Sequence, residues 1–310
     1  SESRYRDWFC IERFPIDATG KNYDTFAGLV PGMPRLNTCN PEVIRYITDI
    51  ALHWTKLLKL DGWRLDVADE VSHALWINLR RELKALSPDI LLIGEIWNHS
   101  SRWLQGREMD TATNYKFMRA LHEFVADKIE ARSFWERVSA NKMLYRSCLY
   151  NYLVNLVGSH DTTRCRTILG SDELHILAMA VNLTFEGMPL IYYGDEVCME
   201  GGFDPDNRRA MKWEDVESRC ARKIRELSRF RAGSEILKKG SLIPIEAGRR
   251  VLAFYREFEG ERLYFLANFD VRASVLEGPW RDAQVILGEG SLEGGRLALE
   301  SGRYVLLGDK

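Results

Sequence analysis

Short apolar strands alternate with amphipathic helices along most of this chain, and that alternation constrains the fold more than any other feature. Asn40-Pro41 opens a helix, with Asn as N-cap and Pro at the first helical position. Val43, Ile44, Ile47, Ile50, Ala51, Trp54, Leu57 and Leu58 form its apolar stripe. The strand GWRLDVA (62–68) follows, then a helix over 72–86 and the strand DILLIGEIW (89–97). A weaker strand over 110–115, helical text over 117–140 and the segment NYLVNLVGSHD (151–161) continue the series. A helix from Ser171 to about Glu186, with Gly187 as C-cap, precedes the strand MPLIYYGDE (188–196) and a helix over 214–230. Helices set between successive strands predict an α/β fold with a parallel sheet.

The texture changes near residue 241. The runs RRVLAFYREF and LYFLANFD read as a hairpin, and AQVILG and RYVLLG follow. The predicted organisation is an α/β domain over residues 1–238 and an all-β antiparallel domain over 239–310. A length of 310 residues suits two domains. The net charge of −2 gives no electrostatic reason to expect nucleic acid or an anionic membrane as partner. No apolar run reaches the roughly 18 residues of a membrane span, and the polar, aromatic N-terminus does not read as a signal peptide. The six cysteines form no C-x-x-C pair, which argues against zinc and for reduced thiols of an intracellular protein.

Inside GWRLDVA the period of two puts Trp63, Leu65 and Val67 on one face and Arg64 and Asp66 on the other. Strands of a parallel sheet are usually buried on both faces, so this charged pair calls for a reason. A structural ion pair is one, and function is another. Three strands of the series end in acidic groups, at Asp66, Glu95 and His160-Asp161. In a closed (β/α) barrel such strand ends converge on one mouth, which holds the active site. Several carboxylates there suit glycosidic bond chemistry. In the retaining form one attacks the anomeric carbon, a second about 5 Å away protonates the leaving oxygen, and a third can stabilise the transition state. Ser159-His160-Asp161 is not taken as a catalytic triad, because consecutive strand residues point to opposite faces.

With these residues in hand, the sequence resembles the α-amylase family of glycoside hydrolases. Gly62 to Asp66 matches the family's fourth-strand signature, Gly94-Glu95-Ile96-Trp97 its fifth, and His160-Asp161 its seventh-strand pair. MPRLN (33–37), YYGDE (192–196) and GGFDPDNRR (201–209) resemble the neopullulanase, cyclomaltodextrinase and maltogenic amylase subfamily. The resemblance implies a partial (β/α)8 TIM barrel, strands four to eight, followed by a small antiparallel β-sandwich. It implies Asp66 as nucleophile, Glu95 as general acid and base, and Asp161 as the group that holds the distorted sugar. Arg64 would be the counter-ion of Asp66, and His160 would hydrogen-bond sugar hydroxyls. Trp97 would stack on the leaving-group side, and Asp204 and Arg208 would bind glucose units on the other. A core position for Trp97 and a surface ion pair for Asp204 and Arg208 are the structural alternatives.

The implied activity is retaining hydrolysis of α-1,4 glucosidic bonds, with α-1,6 bonds as the open alternative, in cyclodextrins, pullulan, starch or maltooligosaccharides, with transglycosylation. The alternative is a catalytically inactive fragment or a glucan-binding relative. Two positions depart from the subfamily: Asp69 stands where Asn is usual, and Arg35 where Lys is usual. The first three barrel strands and the N-terminal β domain are missing, so the chain reads as the C-terminal part of a longer enzyme. No metal ligand set and no cofactor is expected here. Calcium, common in the wider family, and a homodimer both belong to the longer protein. The expected location is cytoplasmic.

Overall fold

Asn40 caps the first long helix as its sequence predicts. Its side-chain oxygen accepts the Glu42 N–H at 2.8 Å, and the helix runs Pro41–Leu58. The computed structural model describes residues 3–308 except Ala18 and Leu29. The outer ends of both expected domains, and Ala18 and Leu29 within the first, therefore lie outside the described residues. Two compact units emerge, Ser1–Thr113 and Asn114–Lys310.

In the first unit the strand Gly62–Leu65 pairs in parallel with Leu91–Gly94, which pairs in turn with Thr111–Ala112. The register sets Gly62 against Leu91 and Leu65 against Gly94. Glycine is required at position 62, because a Cβ there would stand 2.6 Å from the Leu91 carbonyl oxygen. The helix His73–Leu86, capped by Ser72, connects the first two strands and buries Leu75, Trp76, Leu79 and Leu83.

The first helix departs from expectation. Ile50, Trp54, Leu57 and Leu58 are exposed, as is Tyr46, although all but Tyr46 were assigned to its buried stripe. Its packed side is made of smaller groups, Val43, Thr48, Ala51 and Thr55. Two of these also make hydrogen bonds: Asn78 donates to Thr48 Oγ1 at 3.0 Å and the Trp63 indole to Thr55 Oγ1 at 2.8 Å. The bulky apolar residues are left exposed.

The second unit opens with the helices Tyr115–Val125 and Ala131–Lys142, where one helical stretch was expected. Val154–Asn155 and Met188–Pro189 form a parallel pair. Between them the helix Asp172–Thr184, capped by Ser171, is buried at every position from His175 onward. It ends at Phe185 rather than Gly187. Gly187 instead makes a close approach, since a Cβ there would lie 2.7 Å from Asn155 Nδ2. The last helix of this series begins later than expected, at Arg219.

All the expected parallel strands are shorter than their text. Val67 is left-handed at φ 43°, which stops the first strand at Leu65. The run from Met188 is a strand only to Pro189, and Gly194, at φ 87°, then leads into the 3-10 turn Asp195–Val197. Among the described residues, the parallel strands fall in the expected order along the chain.

The antiparallel part lies where the texture changed. Val251–Phe258 and Glu261–Asn268 form the predicted hairpin within a five-stranded sheet. A three-stranded sheet is built from Ser274–Glu277, Arg296–Leu299 and Ser291–Glu293. The period of two gives the larger sheet two apolar faces. Ala253, Tyr264, Leu266, Val305 and Leu307 pack with Leu297 and Leu299 of the smaller sheet. Leu252, Phe254, Leu263 and Phe265 share a core with Phe117, Phe124, Phe134 and Phe185 of the helical part. Each such buried aromatic contributes about 1.5–3 kcal/mol.

Candidate active site

The first unit gathers three of the predicted residues. Arg64 leaves the edge strand with one guanidinium nitrogen, Nη1, on Asp66 Oδ1 and the other, Nη2, on Glu95 Oε1 at 2.7 Å. A single planar cation thus bridges two carboxylates carried by adjacent parallel strands. The two acids differ in setting. The Glu95 side chain is 3% exposed and that of Asp66 is 71% exposed. The Val67 N–H donates to Glu95 Oε2 at 3.1 Å, while Oε1 takes the ion pair with Arg64. The left-handed turn at Val67 is what aims this N–H. It also carries Asp66 past the regular strand, and the charged face of GWRLDVA is open rather than buried. Trp97 follows Glu95 half-buried.

Arg35 and Glu70 flank this cluster. Arg35 donates to the Glu70 carbonyl oxygen, and the Glu70 carboxylate accepts the Ala27 N–H at 2.9 Å. Burial pushes the Asp69 carboxyl above its ordinary value.

The second unit gathers four more, His160, Asp161, Asp204 and Arg208. His160 Nε2 lies 3.0 Å from Asp161 Oδ2, and Arg208 donates to Asp161 Oδ1 at 3.0 Å. Arg208 Nε also reaches Asp204 at 2.8 Å and the His160 carbonyl oxygen at 2.9 Å. His160 and Asp161 sit in a turn beyond the strand Val154–Asn155, so their side chains meet instead of pointing apart. Ser159 Oγ accepts the Asp161 N–H at 3.2 Å and contacts the Tyr115 hydroxyl at 3.3 Å.

Two supporting residues escaped the sequence reading. Asn207, fully buried, donates to the carbonyl oxygens of His160 and Thr162 at 2.6 and 2.8 Å. Arg164, also fully buried, donates to the carbonyls of Asn207 and Tyr193 at 2.9 and 2.7 Å. Its guanidinium lies 4.5 Å from the centre of the Tyr192 ring. Together they fasten the turn after the strand to the loop 201–209. Asp195, 3.6 Å from Arg164, is buried enough that its carboxyl is pushed up to about 7 despite that cation. Nothing in the sequence marks Arg164 as an interior cation; its motif neighbours were the only signal.

The cysteine reading needs correction. Cys198 and Cys220 are joined in a disulfide, while Cys10, Cys39, Cys148 and Cys165 are free. Their sequence separation of 22 gave no hint, because helix and loop geometry brings them together. With His175 they form, among the described residues, the one cluster of metal-ligating types. The disulfide occupies both sulfurs, so neither is a thiolate.

Residues 3–230 match the family described as "Alpha amylase, catalytic domain". The chain belongs to the α-amylase family. Among curated α-amylase relatives, Neopullulanase 2 of Thermoactinomyces vulgaris is 42% identical, over 86% of this chain and 47% of its own length. Cyclomaltodextrinase of Thermoanaerobacter pseudethanolicus is 39% identical, over 89% of this chain and 49% of its own. The chain therefore spans about half the length of the curated relatives it matches. Of the solved structures, the ligand-free cyclic alpha-maltosyl-(1-->6)-maltose hydrolase from Arthrobacter globiformis superposes with a TM-score of 0.89 at 29% identity. That likeness covers 100% of this chain and 70% of the other. Among the described residues, no helix of this α-amylase family chain is long and apolar enough to cross a membrane.

Proposed function

We propose that this chain carries the catalytic carboxylates of a retaining α-glucan hydrolase. The carrying observation is the Arg64 bridge, which holds an exposed and a buried carboxylate on neighbouring strand ends. Asp66, the exposed one, attacks the anomeric carbon. Glu95 gives its proton to the departing glycosidic oxygen, and a covalent glycosyl-enzyme forms on Asp66. Glu95, now a carboxylate, takes a proton from water, whose oxygen displaces Asp66 with net retention. Asp161 binds sugar hydroxyls and stabilises the positive charge that develops on the ring. His160, Asp204 and Arg208 contact glucose units on the non-reducing side, and Trp97 stacks on the leaving-group side.

The names of the relatives support cyclodextrins, pullulan and short maltooligosaccharides as substrates. The preference between α-1,4 and α-1,6 bonds, and transglycosylation, belong to the same proposal. So do the assignment of the parallel strands to strands four to eight, the domains 1–238 and 239–310, and a cytoplasmic location. The chemistry uses side-chain carboxylates and no organic cofactor; a calcium site and a homodimer are assigned to the longer protein.

Hydrolysis of maltotriose is the test. Turnover that Glu95→Gln abolishes supports the assignment. Saccharide binding without any turnover would instead identify a glucan-binding chain.

A further inference from the structure

The Cys198–Cys220 bond closes a loop, and the loop contains Asp204, Asn207 and Arg208. Among the described residues the segment between the cysteines holds only the 3-10 turns Asp206–Arg208 and Trp213–Asp215. Little regular structure fixes its ends. Cys198 follows the turn Asp195–Val197, and its N–H donates to the Asp195 carbonyl at 3.2 Å. It is held at φ 56°, a conformation that favours glycine. Cys220 lies in the first turn of the helix Arg219–Gly233. The bond therefore ties an irregular segment to a rigid helix.

Both cysteines are buried, and a cavity reaches the bond from one side. Both cysteines line a cavity of about 320 Å³ together with Arg166, Asp172, Lys212 and Arg219. On the inner side, ligating atoms of His175 and the two cysteines lie within 4.8 Å of one another. His175 Nε2 is engaged at 2.7 Å by the Asp195 carbonyl, which fixes Nδ1 as the bare acceptor, and Nδ1 has no hydrogen-bond partner.

We propose that Cys198–Cys220 is a reducible clamp on the loop that carries Asp204 and Arg208, opened by a small dithiol entering this cavity. The proposal rests on the assignment of that loop to saccharide binding. A thiolate of the dithiol attacks one sulfur, the S–S bond breaks, and a mixed disulfide forms. The second thiol of the reductant resolves it, so the reductant is oxidised by two electrons and both cysteines end as thiols. His175 Nδ1 then accepts an S–H hydrogen bond. With the covalent tie gone, the loop keeps only non-covalent ties: those of Arg208 to Asp161, Asp204 and the His160 carbonyl, and those of Asn207 and Arg164 to the backbone.

Hydrogen exchange of the intact protein with and without dithiothreitol tests this, with Cys198→Ser as the second arm. Amides over 199–209 should exchange at least about tenfold faster after reduction. Cys198→Ser should exchange fast from the start and ignore the reductant. Unchanged exchange on reduction overturns the clamp, as does finding Cys198 and Cys220 both as free thiols in the air-oxidised protein. Titration with maltotriose keeps the two assignments apart. A loop that loosens while neither redox state binds maltotriose retains the clamp and removes the saccharide role.

Discussion

The two clusters are built the opposite way round. Around Arg64 one cation is shared by two carboxylates. Around Asp161 one carboxylate is shared by Arg208 and His160. The first rests on paired strands, with a main-chain N–H fixing the buried acid. The second rests on a turn and a loop, joined by side chains that reach backbone carbonyls. The lesson is one of stiffness. Groups that make and break bonds need tight placement, which regular backbone supplies, whereas groups that recognise a flexible substrate are suited to loops.

The sharpest way to break the comparison is at Glu95. Glu95→Gln should lower maltotriose turnover by about 10⁴-fold, and less for 4-nitrophenyl maltoside, whose leaving group needs no proton. Equal losses on both substrates would remove the acid role. Asp161→Asn comes next, at about 10²–10³-fold in kcat, with circular dichroism confirming an intact fold. A larger loss than at Glu95 would reverse the proposed ranking of the clusters.

The support beneath the second cluster should show in acid. Burial lowers His175 to about 4 from 6.5, so the unfolded chain takes up a proton first as pH falls from 6.5 to 4. Folding stability should drop over that window by on the order of 3 kcal/mol, and His175→Gln should flatten the drop in urea titrations. Asp195, raised to about 7, works the other way: its contribution is full at low pH and is lost as pH rises through 7. Asp195→Asn should accordingly weaken the decline between pH 4 and 7. The smallest effect is expected at Arg208. Arg208→Ala should raise KM about tenfold with kcat little changed, as loss of one charge-assisted contact implies.

Local signals were legible where the physics is local. Asn40, Ser72 and Ser171 cap the helices that their sequences announce. The hairpin 251–268 and the grouping of Arg64 with Asp66 were readable from periodicity and adjacency. Strand lengths were not: Val67 leaves the extended region, and the strand from Met188 stops at Pro189, without any change in apolar texture. The Arg64–Glu95 contact follows from strand register, which a single strand does not encode. Asn207, Arg164 and the disulfide depend on distant segments meeting, and no spacing rule reports that. The exposed side of the first helix misled because its bulk is apolar while its packing side is small and partly polar.

The contact between Gly62 and the Leu91 carbonyl has a genetic consequence. Position 62 bears no functional atom, yet a single methyl group there cannot be housed between the two strands. An alanine codon would prise apart the backbones that carry Arg64 and Glu95. A screen for lost activity should therefore recover this silent-looking glycine alongside the acids themselves, with the acids intact in every such isolate.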